Sequence, residues 1–128
     1  MPTTETRVRE FVDAFSQAGD ALDADAVGAL FAEAFLSADA GGARPVTRTA
    51  FQQALPGRAQ AFADAGLGRA ALTRVDHKRL DPHYVLVGTQ WTVPRTAGGD
   101  PVPLRSSFLL HDDGERFQVV LYLNHQGR

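Results

Sequence analysis

The segment Glu115–His125 (ERFQVVLYLNH) decides the fold class of this chain, because its apolar residues recur with a period of two. That period predicts a strand, and the preceding Asp112-Asp113-Gly114 is typical of a tight turn. One predicted face holds Phe117, Val119, Leu121 and Leu123, and the other holds Gln118, Val120, Tyr122 and Asn124. Apolar residues on both faces, with a phenol and amides on one, indicate a strand between a partner surface and a lined cavity.

Three further strands are predicted upstream, at Ala71–Leu80, Tyr84–Val93 and Val102–His111. Consecutive strands joined by short connections lie side by side in opposite directions, so we expect four successive antiparallel neighbours. The first of them carries Arg74, Asp76 and Lys78 on one face. A charged face is typical of a strand at the edge of a sheet, where it blocks unwanted pairing.

Helical spacing dominates the first half of the chain. Thr3 or Thr4 is expected to cap a first helix, whose apolar stripe is Val8, Phe11, Val12 and Phe15. Asp23 or Asp25 is expected to cap a second helix, which would face inward through Val27, Leu30 and Phe31. Phe35–Asp39, directly before Gly41-Gly42, is predicted as a short strand.

A third helix is predicted to begin near Thr47–Thr49. Thr49 and Gln52 have the spacing of a capping box, in which hydroxyl and amide satisfy two backbone N–H groups. Its core stripe would be Phe51, Leu55 and Phe62. Pro56-Gly57 should kink or split it, because proline lacks the N–H that the helix requires.

Helices followed by a strand meander predict an α+β fold with one domain over residues 1–128. Three N-terminal helices would pack on a strongly curved, mainly antiparallel sheet that forms a cone with an internal pocket.

The chain has no cysteine, which excludes disulfides and thiolate metal sites. Its four histidines form no metal-binding cluster, and its net charge of −2 gives no footprint for nucleic acid. We expect a cytoplasmic protein without a membrane span or cofactor.

Three stretches carry a resemblance to a known superfamily. They are Asp23–Gly42 (DADAVGALFAEAFLSADAGG), Val87–Arg95 (VGTQWTVPR) and the closing hairpin Phe108–His125. The order of elements resembles the nuclear transport factor 2-like superfamily, also called the cystatin-like α+β cone. Ketosteroid isomerases, scytalone dehydratase, polyketide cyclases and many small bacterial proteins of unknown role belong to it. The resemblance implies one deep cavity and frequently a homodimer.

The resemblance also argues against ketosteroid isomerisation as the specific activity. An ungapped comparison places Asp39 at the position of the catalytic aspartate of those enzymes. Their oxyanion hole requires a tyrosine on the first helix and a carboxylic acid on the next-to-last strand. This chain has Phe11 and Phe15 on that helix and Ser107 near the strand position. Each missing donor forfeits about 3–4 kcal/mol of transition-state stabilisation. Scytalone dehydratase-type chemistry uses paired histidines and a tyrosine. His77 with Tyr122 or Tyr84 matches that set only weakly, and no spacing supports the match.

Two residues are candidate catalytic groups. Asp39 could act as a general base in an apolar cavity, or it could be a turn aspartate that bonds its own backbone. His77 shares a strand face with Val75 and could point into the cavity, or it could be a histidine at the rim or a hydrogen-bonded histidine of the core.

The candidate ligand-binding residues come from the strands and the first helix. Gln90 and Trp91 are consecutive, so one of them should line the cavity and the other should face away. Arg105 would seek a carboxylate if it faced inward and would be an ordinary surface arginine if it faced outward. The full set is Phe15, Gln90, Trp91, Arg105, Val120, Tyr122 and Asn124.

Two functions remain open at this point. The first is a cavity that binds a small apolar or amphipathic molecule, with cofactor-free isomerisation, dehydration or cyclisation through Asp39 if it catalyses a reaction. The second is a non-catalytic ligand-binding or protein-interaction module. In both cases the outer sheet face is expected to form a homodimer.

Overall fold

Six strands and three helices make up the fold. The computed structural model describes residues 2–125. The elements in chain order are α1 Thr4–Asp20, α2 Ala24–Ala29, β1 Phe31–Asp39, β2 Gly42–Thr47, α3 Arg48–Asp64, β3 Ala71–Asp81, β4 Tyr84–Val93, β5 Val102–Asp112 and β6 Phe117–Asn124. The predicted α+β class is confirmed.

The six strands form one mixed sheet in the order β2-β1-β6-β5-β4-β3. The four C-terminal strands are successive antiparallel neighbours, as predicted, and β3 lies at an edge. The pairing of β1 with β6 is parallel, with Ala38 opposite Leu123. Both β2 and β3 are free edges, so the sheet is not closed, and the cone stays a prediction.

The N-terminal strands extend further than predicted. β1 begins at Phe31, which was predicted to lie in the second helix, and β2 was not predicted. β2 escaped detection because Gly42–Thr47 (GARPVT) contains glycine and proline and buries no residue fully. It pairs through a hairpin that places Asp39 opposite Gly42.

The helix starts follow the expected capping chemistry except in α3. Thr3 and Asp23 cap α1 and α2, accepting backbone N–H bonds of 3.1 Å and 3.0 Å. The predicted capping box at Thr49 is wrong, because Thr47 caps α3 by accepting the Ala50 N–H at 3.1 Å. The Gln52 amide instead donates to the Ala24 carbonyl at 2.9 Å. It packs onto Gly28, where a Cβ atom would collide with it.

α3 is a single helix that contains Pro56, so the predicted split does not occur. It ends before Gly66, whose φ of +74° lies in the left-handed region that glycine tolerates. Within residues 2–125, no helix combines the length and apolar character needed to cross a membrane.

A β-bulge in β6 changes which side chains face the helices. Leu109 of β5 pairs with Leu121, and the next residue, Leu110, pairs with Val119, so Val120 is the extra residue. Phe117 and Val119 are buried before the bulge, and Tyr122 is buried after it. The predicted uninterrupted alternation of this strand is therefore wrong.

Helices and sheet share one core that is rich in aromatic rings. Phe31 lies 4.7 Å from Phe35 and 4.6 Å from Phe51 between ring centroids. Phe108 stacks on Tyr122 at 5.1 Å with an interplanar angle of 4°. These contacts join β1, α3, β5 and β6 in one cluster, which α1 completes through Val8, Phe11 and Val12.

A buried carboxylate ties α1 to the sheet. Asp112, at the end of β5, is 5% exposed and accepts two bonds of 2.9 Å from Arg7 of α1. Arg79 of β3 donates to it at 3.0 Å, and the Gly114 backbone N–H at 2.9 Å. The Arg7 hydrogen bonds, aided by those from Gly114 and Arg79, hold the pKa of Asp112 well below its ordinary value. Three elements and a turn thus converge on one charge.

We predict that Asp112→Asn lowers the free energy of unfolding by about 2–3 kcal/mol, because it leaves two arginines without their shared partner. The cost stays below that of a fully buried pair because Arg7 and Arg79 are 21% and 31% exposed. Urea unfolding at pH 7 measures this. The matched control Asp113→Asn, in the exposed part of the turn, should change it by under about 0.5 kcal/mol.

The depressed pKa of Asp112 also predicts an acid-dependent stability. The ionised carboxylate stabilises the fold fully above about pH 5, and this stabilisation is lost as the pH falls below the unfolded value of ~3.9. Unfolding curves at pH 7 and pH 3 should therefore differ less for Asp112→Asn than for the wild type. Equal differences would contradict a role for this ion cluster.

Candidate functional site

A cavity of about 380 Å³ lies between α1, α3 and the helix-facing side of β4–β6. We call it the helix–sheet cleft. Its lining residues are Phe15, Ser16, Asp20, Arg58, Phe62, Ala70, Trp91, Leu104, Arg105, Ser106, Tyr122, Asn124 and His125. The volume falls at the small end of the range for ligand pockets in proteins.

Aromatic rings form one wall of the cleft. Phe15 meets Tyr122 edge to face at 6.1 Å and Phe108 at 5.1 Å between centroids. Because Tyr122 also stacks on Phe108, its ring is fixed by contacts on two sides. The β6 bulge directs Tyr122 and Asn124 to this side of the sheet, so the cleft depends on that irregularity.

A buried hydrogen-bond network forms the floor. The Trp91 indole N–H donates to Thr89 Oγ1 at 2.8 Å and lies 3.3 Å from Ser106 Oγ. The two hydroxyl oxygens are 2.7 Å apart, and Thr89 Oγ1 also donates to the Ser106 carbonyl at 2.9 Å. All three residues are buried. The network fixes the ring of Trp91 and leaves Ser106 as a hydroxyl at the base of the cleft.

Arg58 of α3 is a lining residue that the sequence analysis missed. Its guanidinium carbon lies 5.2 Å from the ring centroid of Phe51 and 5.8 Å from that of Tyr122. Nη2 is 3.5 Å from Tyr122 Oη, a long contact. A signal was present, because Phe51, Leu55, Arg58 and Phe62 recur at spacings of four, three and four. That spacing places an arginine within the apolar face of the helix.

A second cavity of about 370 Å³ continues the cleft between α1 and α3 and shares Asp20, Arg58, Phe62 and Ala70 with it. Asp20 lies 3.4 Å from Arg69, measured between Oδ2 and Nε. The prediction that Phe62 belongs to the core is wrong, because 38% of it is exposed and it lies between the two cavities.

The structure brings five of the seven predicted ligand-binding residues to the cleft: Phe15, Trp91, Arg105, Tyr122 and Asn124. Trp91 faces inward and Gln90 outward, as consecutive strand residues must. Arg105 reaches only the rim, because it shares the outer face with Ser107 and is exposed. The prediction for Val120 is wrong, since the bulge places it in a groove on the outer face with Leu121.

Asp39 does not line the cleft. In the parallel pairing of β1 with β6, Ala38 is opposite Leu123, so the residues that follow them, Asp39 and Asn124, are also neighbours. Its carboxylate accepts the Gly41 N–H at 2.8 Å, as a turn aspartate does. The placement of Asp39 among the cavity walls is therefore corrected, and its role as a base stays a prediction.

The expected inward position of His77 is also corrected, because it is exposed on the edge strand β3 and lies outside the cleft lining. His125 does line the cleft, and its Nε2 is 2.8 Å from Ser107 Oγ. Among residues 2–125, histidines and carboxylates form no group of three that could hold a metal ion.

Comparison with known proteins rests on structure alone. No protein-family model matches the chain, and no curated protein is significantly similar in sequence. A cystatin-like protein of unknown function from Nostoc punctiforme superposes with a TM-score of 0.72 at 13% identity, over 96% of this chain and 92% of the other. A nuclear transport factor 2-like protein of unknown function from Shewanella oneidensis gives 0.71 at 15% identity, over 97% and 100%.

The chain has the nuclear transport factor 2-like, cystatin-like fold. A ketosteroid isomerase-like protein from Erwinia carotovora shares it, with a TM-score of 0.64 at 15% identity over 93% of this chain and 92% of the other. At such low identities the similarity extends to the fold and carries no activity. The resemblance inferred from Asp23–Gly42, Val87–Arg95 and Phe108–His125 is thereby confirmed at the level of fold.

We predict that Thr89→Val lowers the free energy of unfolding by about 1–2 kcal/mol, because the Trp91 indole loses its 2.8 Å acceptor in a buried site. The emission of Trp91, which is the single tryptophan of the chain, should change as well. Urea unfolding followed by fluorescence measures both quantities. Thr92→Val on the outer face of the same strand is the matched control, and an equal effect there would contradict the prediction.

Proposed function

We propose that this protein binds a small, largely apolar organic molecule in the helix–sheet cleft. The observation that carries the proposal is the combination of apolar walls with a few polar groups in one cavity of about 380 Å³. Phe15, Leu104 and Trp91 provide the apolar surface, and Tyr122 and Asn124 offer hydrogen bonds from one strand. This is the general composition of ligand pockets, in which apolar contacts supply affinity and few polar groups set orientation.

Cofactor-free proton transfer through Asp39 is the catalytic form of this proposal. The fold is compatible with it, since one structural neighbour is described as ketosteroid isomerase-like. The contacts of Asp39 favour binding without that chemistry. Its carboxylate accepts the Gly41 N–H and is not among the groups that line the cleft. A general base must come within hydrogen-bond reach of the proton that it removes.

Filling the cleft should weaken the binding of a neutral apolar probe. Ala70 lies where the two cavities meet, and Ala70→Phe would place a ring in that space. We expect 1-octanol to bind the wild type in isothermal titration calorimetry and to bind Ala70→Phe at least about tenfold more weakly. Trp91 emission reports the same event from the cleft wall.

The matched control for this experiment is Ala43→Phe, which adds the same ring at an exposed position of β2. It should bind 1-octanol as the wild type does. Absence of octanol binding to the wild type, or equal binding by both variants, would contradict a ligand site in the cleft.

We infer as a second function that the outer face of the sheet forms a homodimer. Leu36, Leu80 and Leu86 are 41%, 51% and 40% exposed on that face. Leu36 and Leu80 border a groove that Leu109, Val120 and Leu121 also line. Contiguous exposed apolar surface of this kind is typical of protein interfaces. Two copies packed face to face would remove it from water.

Light scattering tests the dimer directly. We expect the wild type to have twice the mass of one chain and Leu86→Glu to have the mass of a monomer, because a buried, unpaired charge opposes association. The control Leu22→Glu changes a leucine that is 50% exposed away from this face, and it should leave the dimer intact. A monomeric wild type would rule the interface out.

A further inference from the structure

We propose that the ligand of the helix–sheet cleft is an organic carboxylate with an apolar body, and that Arg58 and Tyr122 bind its carboxylate group. This inference rests on the proposed binding function and adds the chemical class of the ligand. The fold places the Arg58 cation beside two aromatic rings.

The folding of α3 does not require a charged residue at the position of Arg58. Leu55 and Phe51, about one and two turns before it on the same helix face, are buried in the core. A leucine at this position would continue the apolar stripe to Phe62. The arginine instead carries a positive charge to the mouth of a cavity with mainly apolar walls.

The charge of Arg58 has no carboxylate counterpart within the part of the chain that the structure describes. The ion pairs among residues 2–125 involve other arginines. Asp20, the carboxylate that shares the cleft, lies 3.4 Å from Arg69 and more than 4 Å from Arg58. An anionic ligand would therefore meet a cation that no side-chain carboxylate has neutralised.

Two aromatic rings lie close to the guanidinium of Arg58. Its carbon lies 5.2 Å from the Phe51 ring centroid and 5.8 Å from the Tyr122 centroid, within cation–π range. Such contacts attract the cation to this place, and the N–H groups of a guanidinium can donate to a planar acceptor. Tyr122 Oη, 3.5 Å from Nη2, adds an O–H donor on the same side.

These donors match a carboxylate. A carboxylate has two oxygens in one plane, and a guanidinium fork with one phenol can bond both. A cationic ligand would be repelled by Arg58, and a neutral ligand would leave its charge unused. The apolar body would extend over Phe15 and Leu104 toward Trp91, which are cleft walls.

The experiment compares octanoate with 1-octanol, which have similar bodies and differ in charge at pH 7. Calorimetry should show octanoate binding the wild type roughly five- to tenfold more tightly than 1-octanol. The preference is limited because Arg58 is exposed at the cleft mouth. It should shrink at high salt, since screening weakens the ionic contact but not the apolar one. A parallel titration with 3-phenylpropionate tests whether an aromatic body binds better than an aliphatic one.

Three variants separate the charge from the fold. Arg58→Gln should remove the preference for octanoate over 1-octanol, so that the ratio of the two affinities falls to about one. Arg58→Lys keeps the charge without the fork and should retain part of the preference. Arg44→Gln, at an exposed position of β2, is the matched control and should behave as the wild type.

The outcomes distinguish this inference from the binding function on which it rests. If 1-octanol and octanoate bind equally well and Arg58→Gln changes neither, the carboxylate assignment is overturned while the binding site stands. If neither probe binds the wild type, both fail together. If 3-phenylpropionate binds more tightly than octanoate, and Arg58→Gln weakens it, the carboxylate assignment holds with an aromatic body.

Discussion

One extra residue in β6 determines what the helix–sheet cleft contains. Before the bulge at Val120 the strand buries Phe117 and Val119, and after it the strand turns Tyr122 and Asn124 toward the helices. With uninterrupted alternation from Phe117, the leucines at 121 and 123 would occupy those inner positions instead. The cleft would then have lost both its phenol and its amide. The phenol and the amide that β6 contributes to the site therefore depend on a local break in the hydrogen-bond ladder.

Much of the fold followed from periodicity. The even alternation of β4 and β5 and the stripe of α1 are long patterns that tertiary contacts did not override, and their positions were predicted to within a residue or two. β2 was missed because an edge hairpin strand with little burial has no apolar period to detect. The bulge was missed because nothing in ERFQVVLYLNH marks Val120 as the unpaired residue.

The candidate site was predictable where the period of a helix or a strand reached it. Alternation predicted that either Gln90 or Trp91 lines the cavity and placed Tyr122 on the pocket face, whereas Asp39 lies at a turn, where local backbone bonding decides the direction of a side chain. Arg58 was missed although its helical spacing was visible, because only the apolar residues Phe51, Leu55 and Phe62 were assigned to the inward face of the helix.

The place of β6 in the sheet has a consequence for how the chain is assembled. β6, which follows the other five strands in chain order, is not at an edge, because it lies between β1 and β5 and pairs with both. Until it is in place, β2-β1 and β5-β4-β3 are two separate ribbons, and each presents an unpaired edge to the other. A nascent chain would carry both edges unprotected until β6 leaves the ribosome, when the parallel pairing of Phe31 with Val119 spans 88 positions of sequence.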